Sequence, residues 1–240
     1  MQNLLHKVHP EWHEILLTSL HSMDAAYLSS LRAHPHWLPG DEFLLAAFAQ
    51  PLSKTRYILL GESPYPRAQS ANGYAFWDGA VHELWSATGL SKGVNRATSF
   101  RNILKMLLYA RGDLREDFSQ GAIAVLDKTG LSETTQHLFQ TFMRRGILLL
   151  NASLVYEQGA VNKHAKQWRP FLHSLLTQLA ELSKEVSLIL LGRMARLIPP
   201  VCPLSLISEH PYNVSFITNP DVVAFFKPLD LLRYEPIFND

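Results

Sequence analysis

The stretch from Arg56 to Gly79, RYILLGESPYPRAQSANGYAFWDG, constrains the chain more than any other. A short apolar run from Arg56 to Leu60 stops at Gly61. A loop carrying Pro64, Tyr65 and Pro66 follows, before a second cluster of Gly73, Tyr74, Phe76 and Trp77. An apolar run that short, closed by Gly and Pro, reads as a buried strand, because a helix needs ten or more residues and tolerates Pro poorly in its interior. The loop therefore hangs from the C-terminal end of a strand, where open α/β sheets bind ligands. The same Gly and Pro content also suits a plain structural turn, so position alone makes the loop a site candidate.

With 240 residues the chain can form one large α/β domain or two small ones. No linker, repeat or low-complexity tract divides it, so a single domain over residues 1–240 is expected. An apolar fraction of 47% supplies a core and argues against disorder. The net charge of +1 gives no global field for nucleic acid, so any DNA contact has to be local. Cys202 is the single cysteine, which excludes an internal disulfide and any all-cysteine metal or iron–sulfur site. The eleven histidines lack short metal-ligand spacing except His34 and His36, which flank Pro35 and are expected in a turn. No charged segment followed by an apolar stretch opens the chain, and no apolar run approaches the roughly 20 residues that span a bilayer. A cytoplasmic monomer with no membrane partner is expected.

Helical spacing of Trp12, Ile15, Leu16 and Leu20 predicts a first helix over 9–20, and Asp24 is placed to cap a second, ended by the Pro35–Gly40 turn. Phe43 to Ala49 is expected to form another short helix. Thr98 and Ser99 open a helix carrying Ile103, Leu104, Leu107 and Leu108. The free N–H groups of its first turn would seat an anion, although either hydroxyl could equally be an N-cap. Asp113 to Gly130 reads as a connector, and Ser132 to Thr134 opens a helix that ends near Gly146. Strands follow at Ile147–Leu150, Val186–Leu191 and Leu204–Ser208, with a long amphipathic helix from Trp168 to Leu182. Alternating strands and helices predict an α/β fold: three layers, α/β/α, around a central four-stranded parallel sheet. Strand order does not follow from the pattern. Glu62 and Ser63, Asn151, and His210 each follow a different strand, so the sheet would gather a carboxylate, an amide and an imidazole at one edge. Taken singly, an Asn at a strand end more often caps a turn and a His is more often structural.

These residues carry a resemblance. The chain resembles the uracil-DNA glycosylase superfamily, closest to family 1, from Trp12 to about Leu232. Gly61-Glu62-Ser63-Pro64-Tyr65-Pro66 stands where that family has GQDPYH, and Gly73-Tyr74-Ala75-Phe76 matches GLAF. Thr98-Ser99-Phe100-Arg101-Asn102 matches PSLxN, and Gly146 to Leu154 matches GVLLLNxxLT. His164-Ala165 and Trp168 recur in order, Leu188 to Gly192 echo VFLLWG, and His210-Pro211 begin the final HPSPLS loop. Each string is weak alone; together, in the family's order, they are strong.

The resemblance implies a DNA glycosylase that flips a base from the duplex and cleaves its N-glycosidic bond, leaving an abasic site, with no cofactor or metal. It implies that Phe76 stacks on the base, Asn151 reads its edge and Tyr65 blocks the position of the thymine methyl. His210 would stabilise charge on the leaving base, and Val214 would fill the vacated stack. Thr98, Ser99, His164, Arg193, Tyr212 and Asn213 are placed on the DNA side of the cleft. The catalytic Asp of the family is Ser63 here, its Gln is Glu62, its motif-ending His is Pro66, the Ser of its Gly-Ser loop is Arg193, and HPSPLS becomes HPYNV. Glu62 is expected to take over as working carboxylate beside Ser63 and His210; the alternative is a solvent-facing residue. Three readings stay open: excision of a damaged or modified pyrimidine, such as phage DNA carries; ordinary uracil excision through Glu62; or a catalytically weak or inactive protein binding DNA or a protein partner. Repair and phage defence are both compatible settings.

Overall fold

The computed structural model describes residues 5–182, 186–194, 198 and 201–234. The apolar run at 56–60 is a strand, β1 (Tyr57–Gly61), and it lies inside a sheet. A two-stranded hairpin, β2 (Trp85–Ser86) and β3 (Gly89–Leu90), follows, then β4 (Ile147–Asn151), β5 (Ser187–Leu191) and β6 (Leu204–Ser208). The main sheet has the order β4-β1-β5-β6 and all its pairings are parallel. Parallel pairing of β1 with β4 sets Gly61 beside Asn151, so the polar residues after the strands share one edge.

Side chains alternate across the strands. Ile58, Leu60, Leu148, Leu150, Leu188 and Leu190 enter one buried cluster with Trp12, Leu16, Trp168 and Leu175. Leu59, Ile147, Leu149, Ile189 and Leu191 enter the other with Phe100, Leu104, Phe139 and Phe142. Period-two alternation with apolar residues on both faces requires a helical layer on each side. The first layer holds α1 (His13–His21), α2 (Ala25–Ala33) and α7 (Val161–Glu181). The second holds α4 (Thr98–Arg111), α6 (Thr135–Arg144) and α8 (Pro220–Phe226), with short α3 (Lys92–Arg96) and α5 (Gln120–Ala124) at its margin. Three layers around a four-stranded parallel sheet is the architecture expected from the sequence.

Asp24 caps α2 by accepting from the Ala26 N–H, as expected. Three details differ from expectation. Residues 43–49 form only a 3-10 turn at Ala46–Ala49, because Phe48 leaves helical backbone geometry. The 85–90 hairpin lies in a segment for which the sequence predicted no strand. The long helix begins at Val161 and runs through Pro170. An internal Pro costs about 3 kcal/mol; burial of Trp168, Phe171, Leu172 and Leu175 on either side offsets it at about 1.5–3 kcal/mol per side chain.

Candidate active site

The edge where β1, β4, β5 and β6 end carries the site. Two backbone bonds extend the β1–β4 pairing past the strands, Ala152 N–H to Gly61 O at 2.9 Å and Ser153 N–H to Glu62 O at 3.0 Å. They fix the start of the GESPYP loop against Asn151. Asn151 is 3% exposed, yet its carboxamide makes no hydrogen bond to a described residue. Its polar atoms are not among the fully buried ones that lack a partner, so they keep access to the cleft, which suits a group whose partner arrives with a ligand. Gly61 gives it room: a Cβ there would lie 2.6 Å from Asn151 Oδ1 and 2.8 Å from the Ala75 Cβ.

The 73–77 segment folds over this edge through an Ala75 N–H bond to Leu149 O. Phe76 has a φ of 63°, a left-handed conformation costing about 1–2 kcal/mol for a residue with a side chain. The Tyr65 hydroxyl donates to Phe76 O at 3.3 Å and helps hold the bend, which sets the Phe76 ring 6.4 Å from that of His210. Burial pushes the Tyr65 phenol well above its usual range, with Asp78 adding to the rise. It stays neutral and lines a cavity of about 460 Å³ with Pro66, Arg67, Asp78, Ala80, Val81, Gly93, Arg96 and Ala97.

His210 follows β6 and packs against Gly192 at the end of β5, where a Cβ would meet His210 Cβ at 2.8 Å. Its Nδ1 accepts the Tyr212 N–H at 3.1 Å. That bond places the ring proton on Nε2, which has no partner among the described residues. Desolvation lowers the His210 pKa, and the charge of Arg193 lowers it further, so the ring is neutral at pH 7. Behind it, buried Asn102 of α4 donates to three successive carbonyls, Pro211 at 2.8 Å, Tyr212 at 3.3 Å and Asn213 at 3.4 Å. Asn102 stands in one of the matched motifs, but the sequence alone gives it no role. Its signal is a carboxamide on a helix whose neighbours Phe100, Ile103 and Leu104 are all buried. Glu209, held by Ser208 Oγ and Asn219 Nδ2, secures the other end of the loop. Tyr212 and Val214 project from its tip, 67% and 72% exposed, with Asn213 between them.

Glu62 and Arg193, given separate roles from sequence, meet as an ion pair. Arg193 Nε donates to Glu62 Oε2 at 2.9 Å, and a second guanidinium nitrogen contacts Oε1. The geometry is bidentate, but both side chains are substantially exposed, so screening keeps the pair weak. Ser63, half-buried, follows Glu62. Thr98 and Ser99 occupy the first turn of α4; Ala97 is its N-cap and neither hydroxyl caps it.

His164 corrects the sequence expectation of a DNA contact. It is 1% exposed within α7, with Nδ1 against the Tyr27 hydroxyl at 2.8 Å and Nε2 against Glu157 Oε2 at 2.9 Å. Both ring nitrogens are committed inside the protein, leaving no atom for a phosphate.

No protein-family model matches the chain. A curated relative, the uracil-DNA glycosylase of Streptococcus pyogenes serotype M49 (strain NZ131), is 26% identical over 242 residues, covering 96% of this chain and 88% of that protein. The mimivirus uracil-DNA glycosylase structure shares the fold at a TM-score of 0.57 and 19% identity, covering 87% of this chain and 71% of that one. The wild-type UNG crystal structure from Nitratifractor salsuginis superposes with a TM-score of 0.92 at 42% identity, covering 98% of this chain and 97% of that one. With that identity sustained along nearly the full length of both chains, and with the strand-end residues gathered as described, the chain belongs to the uracil-DNA glycosylase superfamily.

Proposed function

We propose that this chain is a monomeric, single-domain DNA glycosylase that extrudes uracil from DNA and hydrolyses its N-glycosidic bond. The observation that carries this reading is the pairing of a buried, unpartnered Asn151 carboxamide with a neutral His210 whose Nε2–H is likewise unpartnered among the described residues. Strands β4 and β6 stand three spacings apart, about 14 Å. Side chains reaching inward from both reduce that span to one pyrimidine ring with a hydrogen bond at each edge. Phe76, beside His210, supplies a face for the ring to stack on, replacing what extrusion removes.

In the reaction, water adds to C1′ of the sugar while the C1′–N1 bond breaks and its electron pair leaves with the base. Negative charge spreads to the base carbonyl, where the Nε2–H of His210 donates; a neutral donor aimed at developing charge is a transition-state interaction. Asn151 offers a donor and an acceptor in one plane to the pyrimidine edge. Glu62 orients the water, accepts the proton it loses as it adds to C1′, and balances positive charge on the sugar; that proton ends on the released base or in solvent. Glu209 is held within the loop by Ser208 and Asn219, whereas Glu62 is held only by an exposed Arg193 in a pair that solvent weakens, which supports Glu62 in that role. Tyr65, held to Phe76 O, limits the substituent at C5 of the base. Arg193, Thr98, Ser99, Tyr212 and Asn213 face the DNA backbone, and Val214 enters the vacated stack.

Binding without turnover is the second reading, favoured by Ser63 in place of the family Asp and by the Arg193 grip on Glu62. Incubation with uracil-containing oligonucleotides followed by alkali separates the two: strand scission at the uracil position supports excision, and intact strands with salt-sensitive binding support the second reading. Glu62→Gln keeps an acceptor for Arg193 but removes the charge. It is expected to lower kcat about 10²- to 10⁴-fold with little change in DNA affinity; unchanged kcat would remove Glu62 from the chemistry.

A further inference from the structure

The loop after β1 is tied down at its far end as well as its near one. Asp78 is 4% exposed, and its carboxylate accepts the Ala80 N–H at 2.9 Å through Oδ1 and Arg67 Nη2 at 3.0 Å through Oδ2. Asp78 stands on an anchored segment. The Val81 N–H bonds Asp78 O at 3.1 Å, His82 O accepts the Thr135 N–H at 2.7 Å, and Thr135 Oγ1 donates to Val81 O, so this segment is fixed to the first turn of α6. Arg67 stands on the loop. Its carbonyl accepts the Ser70 and Ala71 N–H groups, both at 3.0 Å, and Ser70 O accepts the Gly79 N–H at 3.0 Å, a second link between the two segments. Only Pro66 separates Arg67 from Tyr65. Proline locks its own φ and restricts the residue before it, so a shift of Arg67 is passed on to Tyr65 rather than absorbed.

We infer that Arg67 and Asp78 are a positioning pair that determines specificity: together they hold the Tyr65 ring where it excludes a substituent at C5 of the base. That role rests on the uracil-excision reading above and adds to it two residues that have no part in the chemistry and fall outside the matched motifs at 61–66 and 73–76. Two observations show why Tyr65 needs such a hold. An open cavity of about 460 Å³ borders it, lined also by Ala80, Val81, Gly93 and Arg96, so close packing does not confine the residue on that side. Its hydroxyl bond to Phe76 O, at 3.3 Å, is well beyond the roughly 2.7–2.8 Å usual for a hydroxyl donor. A wall with room beside it and a long bond at its tip excludes a methyl group only if its backbone is fixed. Arg67 is exposed, but the carboxylate it meets is buried, so solvent screens this pair less than one between two surface side chains. Both charges also act on the ring itself: burial raises the Tyr65 pKa most, Asp78 raises it further and Arg67 opposes the rise.

Identical duplexes with guanine opposite either uracil or thymine, which differ by the C5 methyl group, provide the test. Asp78→Asn keeps an acceptor for the Ala80 N–H and removes the charge, and Arg67→Met/Asp78→Asn removes the pair with no carboxylate left stranded. Both variants should keep kcat/KM for uracil within about threefold of wild type, which also shows that they are folded. Both should lower the uracil-to-thymine ratio of kcat/KM about tenfold through faster thymine excision, the low end of what exclusion of one methyl group is worth. The double variant should be no worse than the single one, because the two delete one interaction. Arg67→Lys, which keeps a cation for Asp78, should stay nearer the wild-type ratio. An unchanged ratio in an active variant would overturn the inference, and so would an equal loss on both bases, which is what general loosening of the fold produces. Duplexes carrying 2′-fluorinated uridine or its 5-methyl analogue, which resist hydrolysis, give the same ratio as affinities, without turnover. If the wild-type protein excises nothing yet its affinity ratio falls about tenfold in the variants, the catalytic reading fails and the role of the pair stands. An affinity ratio that stays fixed overturns that role whether or not the protein is active.

Discussion

Two histidines in two regions of the molecule have the same internal chemistry and opposite consequences. In the α7 region, His164 accepts at Nδ1 from Tyr27 and meets Glu157 at Nε2. A carboxylate can only accept, so the ring proton sits on Nε2 and points into the protein. Burial pushes the Tyr27 phenol up to about 12, and Glu157 adds to the rise, so the tyrosine is a fixed neutral donor. In the loop after β6, His210 also accepts at Nδ1, from a backbone N–H, and also carries its proton on Nε2; there the proton meets no described group. A relay closed at both ends stabilises the fold, whereas one left open at its far end can act on a ligand.

Removal of each ring should separate the two. His210→Ala should leave thermal stability nearly unchanged and lower kcat/KM on a uracil duplex about 10²- to 10³-fold, the loss typical of one donor to developing charge. His164→Ala should do the reverse. It strands the Tyr27 hydroxyl and opens a cavity in the first core cluster, costing about 3 kcal/mol in denaturant unfolding, while activity per folded molecule stays near wild type. If the His164 variant lost activity and kept its stability, the contrast would collapse and His164 would rejoin the DNA-contact residues. Between these extremes, Asn102→Ala releases three loop carbonyls without touching substrate. It should lower kcat about tenfold with a smaller effect on KM, and the loss should be partly restored by Asn102→Gln if the longer amide regains one carbonyl.

What the sequence made legible follows from which physical signals are local. The strand ends were readable because Gly61 with Pro64 and Gly146 with Asn151 punctuate apolar runs, and a parallel sheet then brings those ends together whatever its order. Side-chain facing within α7 was not readable from a motif match. A helix starting at Trp168 gives His164 no face; once it starts at Val161, His164, Trp168, Phe171, Leu172 and Leu175 fall on one buried stripe. The Asn102 role and the Glu62–Arg193 pair join residues more than 100 positions apart, 102 with 211–213 and 62 with 193, and no local pattern encodes such a distance.

Arg193 offers the smallest and most specific test of the open relay. Its charge is the second cause, after desolvation, of the lowered His210 pKa. Protonating Nδ1 would set its N–H against the Tyr212 N–H and break the bond that orients the ring, so the active form is the neutral one. A pKa depressed below the ordinary value of 6.5 keeps that form dominant to lower pH, and the acid limb of kcat/KM should lie below 6.5. Arg193→Ala removes the repulsion, so the limb should move upward in pH toward 6.5, while Arg193→Lys, which keeps the charge, should hold it near the wild-type position. Loss of the bidentate grip also frees Glu62, but a carboxylate near the ring would raise the His210 pKa as well, so both effects shift the limb in the same direction. A limb that stays fixed in the Ala variant would mean that burial alone sets the His210 proton, and Arg193 would then be left with Glu62 and the DNA backbone as its only partners in the mechanism.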